Sequence, residues 1–239
     1  MPDDPRRLGR VLITGGASGL GAAVARAVAD AGGRSVVLDR RAPESSEHQQ
    51  AGHQNGEHRI VDLADARAAE AVVGEVAEAG LDAVVTCAGI DSCGPLADVP
   101  GTDWDRVVAV NLLGTAAVVR AALPALRASR GRVVTVASTL GLRALPEATA
   151  YSAAKFGVVG FSRALGVELA GQVRVTCLVP GGMRTAFFDD RPQRYRPGPD
   201  AVLMDPADVA ATIVHLLSTS GSAEFRELVL TPAGEPSWP

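Results

Sequence analysis

The feature that most restricts the fold of this chain is an alternation. Seven short apolar runs, at residues 10–14 (RVLIT), 35–39 (SVVLD), 59–62 (RIVD), 83–86 (AVVT), 131–137, 173–179 and 227–231, are separated by segments of helical periodicity. Strands without an in-out alternation must be covered on both faces, and helices placed between successive strands supply that cover. The expected architecture is α/β: one domain spanning residues 1–239, with a seven-stranded parallel sheet, doubly wound, and helices on both faces. In the first intervening segment Leu20, Ala23, Val24, Ala27, Val28 and Ala31 recur at helical spacing, and Gly32-Gly33 ends the helix. Val72 and Val76 are expected to point inward from a second helix. Thr102 with Asp105 reads as a capping box opening a third. Asp205-Pro206 pairs an acidic N-cap with proline at the first helical position.

Composition narrows the function classes. The 239 residues are 47% hydrophobic, enough for a well-buried core, and 23 Lys+Arg against 27 Asp+Glu leave no positive field to recruit nucleic acid or an anionic membrane. The first ten residues lack an apolar signal region, and no uninterrupted apolar run reaches the roughly 18 residues of a bilayer span. The three cysteines, Cys87, Cys93 and Cys177, are too few and too irregular for a disulfide framework and read as free thiols in a reducing compartment. The expectation is a soluble, cytoplasmic protein without nucleic-acid or membrane partners. The stretch 107–119 is apolar nearly all round, which calls for cover on two sides: the sheet and either a second subunit or another part of the same chain. A homodimer or homotetramer is therefore expected.

Two constellations carry chemistry. The first strand runs into Thr14-Gly15-Gly16-Ala17-Ser18-Gly19-Leu20-Gly21 and then a helix. Glycines there let the backbone turn tightly and approach a pyrophosphate, and the helix N-terminus offers free N–H groups. Asp39 follows Gly21 by 18 positions, at the end of the second strand, where a carboxylate can accept hydrogen bonds from the adenosine ribose of NAD and would repel a 2′-phosphate. NAD is thus favoured over NADP, although Arg40 and Arg41 just beyond the strand are suited to a 2′-phosphate.

In the second constellation, Tyr151 and Lys155 share a helix face at i and i+4. A tyrosine with an ordinary pKa near 10 is a poor base at neutral pH. A neighbouring ammonium and a cationic nicotinamide would lower that value enough for proton exchange with an alcohol or ketone. Ser138, at the carboxyl end of the fifth strand and 13 residues before Tyr151, is placed to hold the substrate oxygen beside the phenol.

Taken together, the glycine segment, Asp39, Asn111 in Val-Asn-Leu-Leu-Gly, Ser138, Tyr151-x-x-x-Lys155 and Pro180-Gly181 resemble, in order and spacing, the short-chain dehydrogenase/reductase family and its Rossmann fold. The resemblance runs from about residue 10 to 231. It implies a catalytic tetrad of Asn111, Ser138, Tyr151 and Lys155, with Tyr151 as acid/base and Lys155 binding the nicotinamide ribose. Asn111 would hold a helix kink and a relay water. The family pattern also implies cofactor contacts from Gly15, Ser18, Gly19, Leu20, Gly21, Asp39 and Arg40. Further along the chain, Asp62-Leu63 would meet adenine, Ala88-Gly89 would line the cofactor, and Pro180, Gly182 and Thr185 would meet the nicotinamide end. Two departures stand out: Cys87-Ala88-Gly89 replaces the usual Asn-Ala-Gly, removing a side chain that braces the central strands, and the C-terminal segment lacks the common glycine-rich ending.

The implied activity is an NAD(H)-dependent oxidoreductase interconverting a secondary alcohol and a ketone without a metal. Alternatives are a catalytically silent NAD(H)-binding sensor or scaffold, and a lyase or epimerase, for which 239 residues leave little room for a substrate domain. Residues 187–204, rich in aromatics, arginine and proline, are expected to form a substrate lid, with Arg191, Arg194 and Arg196 solvated and Phe187, Phe188 and Tyr195 lining a pocket or anchoring the lid. Residues 41–57 read as a polar surface loop. His48, His53 and His58 are evenly spaced but lack companion ligands, so no metal site is expected.

Overall fold

The structure is a computed structural model that describes residues 8–42 and 56–234. Its strands are β1 (Arg10–Thr14), β2 (Arg34–Asp39), β3 (Glu57–Ile60), β4 (Ala83–Thr86), β5 (Arg132–Val136), β6 (Arg174–Pro180) and β7 (Glu227–Leu230). They form one parallel sheet in the order β3-β2-β1-β4-β5-β6-β7. The helices are α1 (Gly19–Asp30), α2 (Ala66–Glu78), α3 (Gly101–Val108), α4 (Thr115–Ser129), α5 (Thr149–Glu168) and α6 (Pro206–Ser218), with a π-helical segment, Ala109–Gly114, joining α3 to α4.

Strand pleating distributes the apolar runs between two cores. Leu12, Val36, Leu38, Val84, Val133 and Val175 face one side, where α2, α4 and α5 contribute Val73, Val118, Leu126 and Leu165. Val11, Ile13, Val37, Val85 and Val134 face the other, against Val24 and Val28 of α1 and Val209 and Ile213 of α6. Each such side chain, fully buried, contributes on the order of 1.5–3 kcal/mol. The chain leaves β1 in one direction to build β2 and β3 and crosses back to place β4 on the other flank, so the loops after β1 and β4 diverge and open a crevice at the carboxyl edge.

Several local expectations need correcting. On α2 the fully buried residues are Ala69, Val73 and Val76, and Val72, expected inward with Val76, is partly buried against the same core, so Val73 joins the inward pair. No Thr102–Asp105 box opens α3: the helix begins at Gly101 after Pro100, and Trp104 in its first turn is fixed by Nε1 donating to Thr149 Oγ1 (3.1 Å). β3 ends at Ile60 because Asp62 turns the chain, its Oδ1 accepting from Ala64 N (2.9 Å) and its Oδ2 from Arg106 Nη2 (2.7 Å). At α6 the expected cap is present, with Asp205 Oδ1 accepting from Ala207 N at 2.8 Å.

The long helix from Gly101 to Ser129 has the length and apolarity of a membrane span, but half of its most apolar window is buried inside the fold. Its second cover is α2, with Leu112 packed on Gly157 of α5. That leaves Leu113 exposed. His58 lies on β3, opposite Val37, whereas His48, His53 and most of the 41–57 loop lie outside the described residues.

Candidate active site

The crevice at the carboxyl edge is a cleft of about 630 Å³. One wall is the turn after β1. Gly15 has φ +70°, and a Cβ there would lie 2.8 Å from the Ala88 Cα. Gly21 brings α1 so close that its Cβ would sit 2.2 Å from Gly15 O. These glycines allow strand, turn and helix to nest, which aims the first amides of α1 at the cleft. Ser18, the N-cap of α1, makes no side-chain cap bond. Asp39, at the end of β2, fixes the turn: its Oδ2 accepts from Ala17 N (3.0 Å) and its Oδ1 from Arg41 N (3.1 Å).

Every cofactor residue expected from the sequence lines this one cleft. Gly15, Ser18, Gly19, Leu20 and Gly21 come from the turn, Asp39 and Arg40 from the end of β2, and Asp62 and Leu63 from the segment after β3. Ala88 and Gly89 follow β4, Tyr151 and Lys155 stand on α5, and Pro180, Gly182 and Thr185 lie at and beyond the end of β6. Asp62 is already paired with Arg106, which holds its carboxyl below the usual range. At the Cys87 departure, the ends of β1 and β4 are tied instead by Ala88 N donating to Thr14 Oγ1 (3.1 Å). Burial pushes the Cys87 thiol up to about 12, so it is neutral.

At the far end of the cleft Ser138, Tyr151 and Lys155 come together. The Ser138 hydroxyl is hydrogen-bonded to the Tyr151 phenol, and Ser138 Oγ also accepts from Leu140 N at 3.2 Å. Lys155 Nζ donates to Val136 O (2.8 Å) and lies 5.6 Å from the Tyr151 ring centroid. Asn111 stands behind the cleft wall, fully buried in the π-helical segment. Its Oδ1 accepts from Ile90 N (2.9 Å) and its Nδ2 donates to Ile90 O (2.8 Å). A Cβ on Gly89 would be 3.7 Å from Asn111 Oδ1 and 3.8 Å from Lys155 Nζ, so these two groups flank one glycine.

Burial pushes the Tyr151 phenol up to about 12, opposed by the Ser138 hydrogen bond and the Arg191 charge. Burial also brings the Lys155 ammonium down to about 8. In the protein's own field the phenol is therefore a held proton donor. The chemistry of this donor set is proton transfer at a substrate oxygen positioned by Ser138.

In the segment 187–204, Phe187 and Phe188 line the cleft and Arg194 and Arg196 are exposed, as expected, while Arg191 departs. Arg191 is not solvated: its Nη2 pairs with Asp91 Oδ2 at 2.6 Å, and its guanidinium carbon lies 5.0 and 4.7 Å from the Phe187 and Phe188 ring centroids. Arg196 donates to the Arg191 and Asp189 carbonyls, while Arg194 lies over the Tyr195 ring. Tyr195 Oη donates to Glu147 Oε2 (2.6 Å), and Phe187 packs on Tyr151 with centroids 5.7 Å apart. Asp91, Glu147 and Cys93 were missed from sequence, because their partners are distant and no periodic pattern marks them. The one available signal was an acidic residue two positions beyond Gly89, in a loop at the sheet edge.

Residues 9–196 match the family model described as short chain dehydrogenase. Over 177 residues the chain is 40% identical to D-threitol dehydrogenase of Mycolicibacterium smegmatis, covering 71% of this chain and 68% of that protein. It is 29% identical over 248 residues to glycine betaine reductase ATRR of Emericella nidulans, covering 99% of this chain but only 20% of that much longer protein. A solved structure from Beutenbergia cavernae, a candidate NAD(P)-dependent gluconate 5-dehydrogenase with bound NADP at low occupancy, superposes with a TM-score of 0.83 at 32% identity, covering 93% of this chain and 94% of that one.

Proposed function

This chain belongs to the short-chain dehydrogenase family and is an oxidoreductase of the dehydrogenase type, and from that premise we propose that it interconverts a secondary alcohol and a ketone using NAD(H). The residues present fit a dinucleotide. The cleft has the volume, the nested glycine turn brings backbone N–H groups within reach of phosphate, and Asp39 and the Ser138–Tyr151–Lys155 group stand at its opposite ends. Gly15 to Gly21 would hold the pyrophosphate, Asp39 the adenosine ribose, Asp62 and Leu63 the adenine side, and Ala88, Gly89, Pro180, Gly182 and Thr185 the nicotinamide side. When bound, the dinucleotide supplies the two-electron hydride donor or acceptor.

The chain's own residues handle the proton. Tyr151, protonated at neutral pH because it is buried, gives its proton to the carbonyl oxygen of a ketone, and in the reverse direction it is the phenolate that takes the alcohol proton. Ser138 orients that oxygen through the hydroxyl that already bonds the phenol. Lys155, held by Val136 O, has further N–H donors for a ribose hydroxyl. Asn111 holds the Ile90 backbone and thereby the wall beside Gly89.

Asp39 supports NAD over NADP, since a carboxylate repels a 2′-phosphate. Arg40 and Arg41 line the same end, so comparing the two dinucleotides is part of the test. Exposed Leu113, Phe156 and Val167 support self-association, which sedimentation measures.

The hydrogen-bonded Ser138–Tyr151 pair beside Lys155, at the end of the glycine-turn cleft, carries the reading. The test is steady-state oxidation and reduction of NAD and NADP couples with secondary alcohols and ketones, in the wild type and in Tyr151→Phe. Loss of turnover by about a hundredfold or more in the variant, with dinucleotide binding retained, is expected for removal of the general acid. Equal rates would overturn it, and tight dinucleotide binding without turnover on any substrate would favour a sensor.

A further inference from the structure

Two charged residues a hundred positions apart meet in the substrate half of the cleft, and neither is needed for proton or hydride transfer. Asp91 belongs to the loop after β4, and its side chain is only 3% exposed. Its Oδ1 accepts from Ser92 N (2.7 Å), while its Oδ2 accepts from Arg191 Nη2 (2.6 Å) and from Cys93 Sγ (3.1 Å). Arg191 comes from the 187–204 segment and is 17% exposed. Its guanidinium lies against Phe187, which itself packs on Tyr151, so the pair stands one ring away from the phenol. The carboxylate is nearly saturated, but the guanidinium is not: Arg191 Nε is buried and finds no acceptor among the described residues, and Nη1 reaches Tyr195 O only at 3.4 Å.

We propose that Arg191, held by Asp91, is a specificity-determining residue that receives a second hydroxyl of the substrate, so that the substrate is a neutral polyhydroxylated alcohol or its ketone. This rests on Tyr151 being the reacting group. Arg191 lines the cleft, and a hydroxyl one or two carbons from the reacting carbon that accepts from its guanidinium, where Nη1 has Tyr195 O only at 3.4 Å, gains the about 1.5–3 kcal/mol of a hydrogen bond to a charged group, which a hydrocarbon does not. Discrimination of this kind is steep because it turns on leaving a polar group unpaired. Charge selects against hydroxy acids. Asp91 already neutralises Arg191, and Asp190 also lines the cleft, so a substrate carboxylate would find no free guanidinium at Arg191.

Three four-carbon compounds separate these features: threitol, 2-butanol and 3-hydroxybutyrate. In the wild type kcat/KM for threitol is expected to exceed that for 2-butanol by about tenfold to a hundredfold, the range of one charge-assisted hydrogen bond, and 3-hydroxybutyrate should fall below threitol. Arg191→Met should collapse the threitol to 2-butanol ratio by a similar factor. Tyr195→Phe, which loses the bond to Glu147 and leaves Arg191 in place, should move both substrates together and keep the ratio within about threefold. Calorimetric binding of threitol to the dinucleotide-loaded protein, in the wild type and in Arg191→Met, gives a readout independent of turnover. Preference for 2-butanol or 3-hydroxybutyrate, an unchanged ratio in Arg191→Met, or an equal collapse in Tyr195→Phe would overturn the inference. If no compound turns over but threitol binds in an Arg191-dependent way, the recognition site stands and the reaction assigned to Tyr151 falls; if threitol neither reacts nor binds, the recognition site falls.

Discussion

Replacing Gly21 and Gly74 by alanine, each in its own variant, makes one chemical change in two helices with opposite expected signs. At Gly74, inside α2, an added Cβ meets nothing within 4 Å, so the methyl brings only the helical preference and the reduced freedom of the unfolded chain. That is worth about 0.5–1 kcal/mol of added stability. At Gly21 the added Cβ would sit 2.2 Å from Gly15 O, 2.6 Å from Gly15 C and 2.9 Å from Gly16 N, all backbone atoms. The turn cannot retreat, because Gly15 N donates to Leu38 O at 2.8 Å and Gly15 already abuts Ala88. Relief to an ordinary contact needs α1 and the turn to separate by about 1 Å, and overpacking of that size costs about 1–3 kcal/mol. For a chain of this length the Tm should rise by about 1–4 °C in Gly74→Ala and fall by roughly 2–12 °C in Gly21→Ala. The displaced amides are those proposed for the pyrophosphate, so Gly21→Ala should also weaken dinucleotide binding by about tenfold or more, one to two hydrogen bonds' worth, as read by fluorescence titration. Gly74→Ala should leave that affinity unchanged. Equal Tm shifts in the two variants, or wild-type dinucleotide affinity in Gly21→Ala, would refute the account of the turn.

Two further outcomes follow from buried polar groups. Asn111→Ala removes both partners of the Ile90 backbone in a fully buried place, and chemical denaturation should show a loss of about 2–5 kcal/mol; a loss below about 1 kcal/mol would remove the bracing role. Lys155 has its pKa lowered to about 8 from an ordinary 10.5, so between those values the unfolded chain binds more protons and stability rises with pH. The burial penalty on the ammonium is greatest below pH 8, up to about 3 kcal/mol, and fades as pH approaches 10.5. The stability of Lys155→Met relative to wild type should therefore fall by that order between pH 8 and 10, and a flat difference would mean that Lys155 titrates normally.

How much of this was legible in the sequence depends on range. β1 and β4 coincide with the expected 10–14 and 83–86, because a strand buried on both faces leaves an unbroken apolar run. The site elements at the strand ends were legible for a related reason: Gly15, Gly21, Asp39, Ser138 and the Tyr151–Lys155 pair are placed by local turns and by single helical periods, so their spacing records their geometry. What escaped was set by contacts across the chain. α3 starts on Pro100 O, which accepts from Asp103 N and Trp104 N without a Thr102–Asp105 box, and Val73 of α2 is buried where the helix packs near α4. The 187–204 segment shows this most fully, since Arg191 looks like a solvated loop cation until the fold brings Asp91 to it from 100 residues away. The same holds for the proton chemistry. The i, i+4 spacing suggested that Lys155 and a cationic nicotinamide acidify Tyr151; the folded chain adds that Nζ donates to Val136 O and that burial is the largest influence on both side chains in the chain alone.

The most direct measurement follows an isotope. A reduced dinucleotide carrying deuterium at the transferable C4 position is incubated with a ketone and either the wild type or Tyr151→Phe, and the product alcohol is analysed by mass spectrometry and NMR. The account predicts that the wild type delivers deuterium to the carbinol carbon with no loss to solvent, and that Tyr151→Phe yields almost no product although it binds the dinucleotide. Label found in water, or equal yields of labelled alcohol from the two proteins, would contradict it.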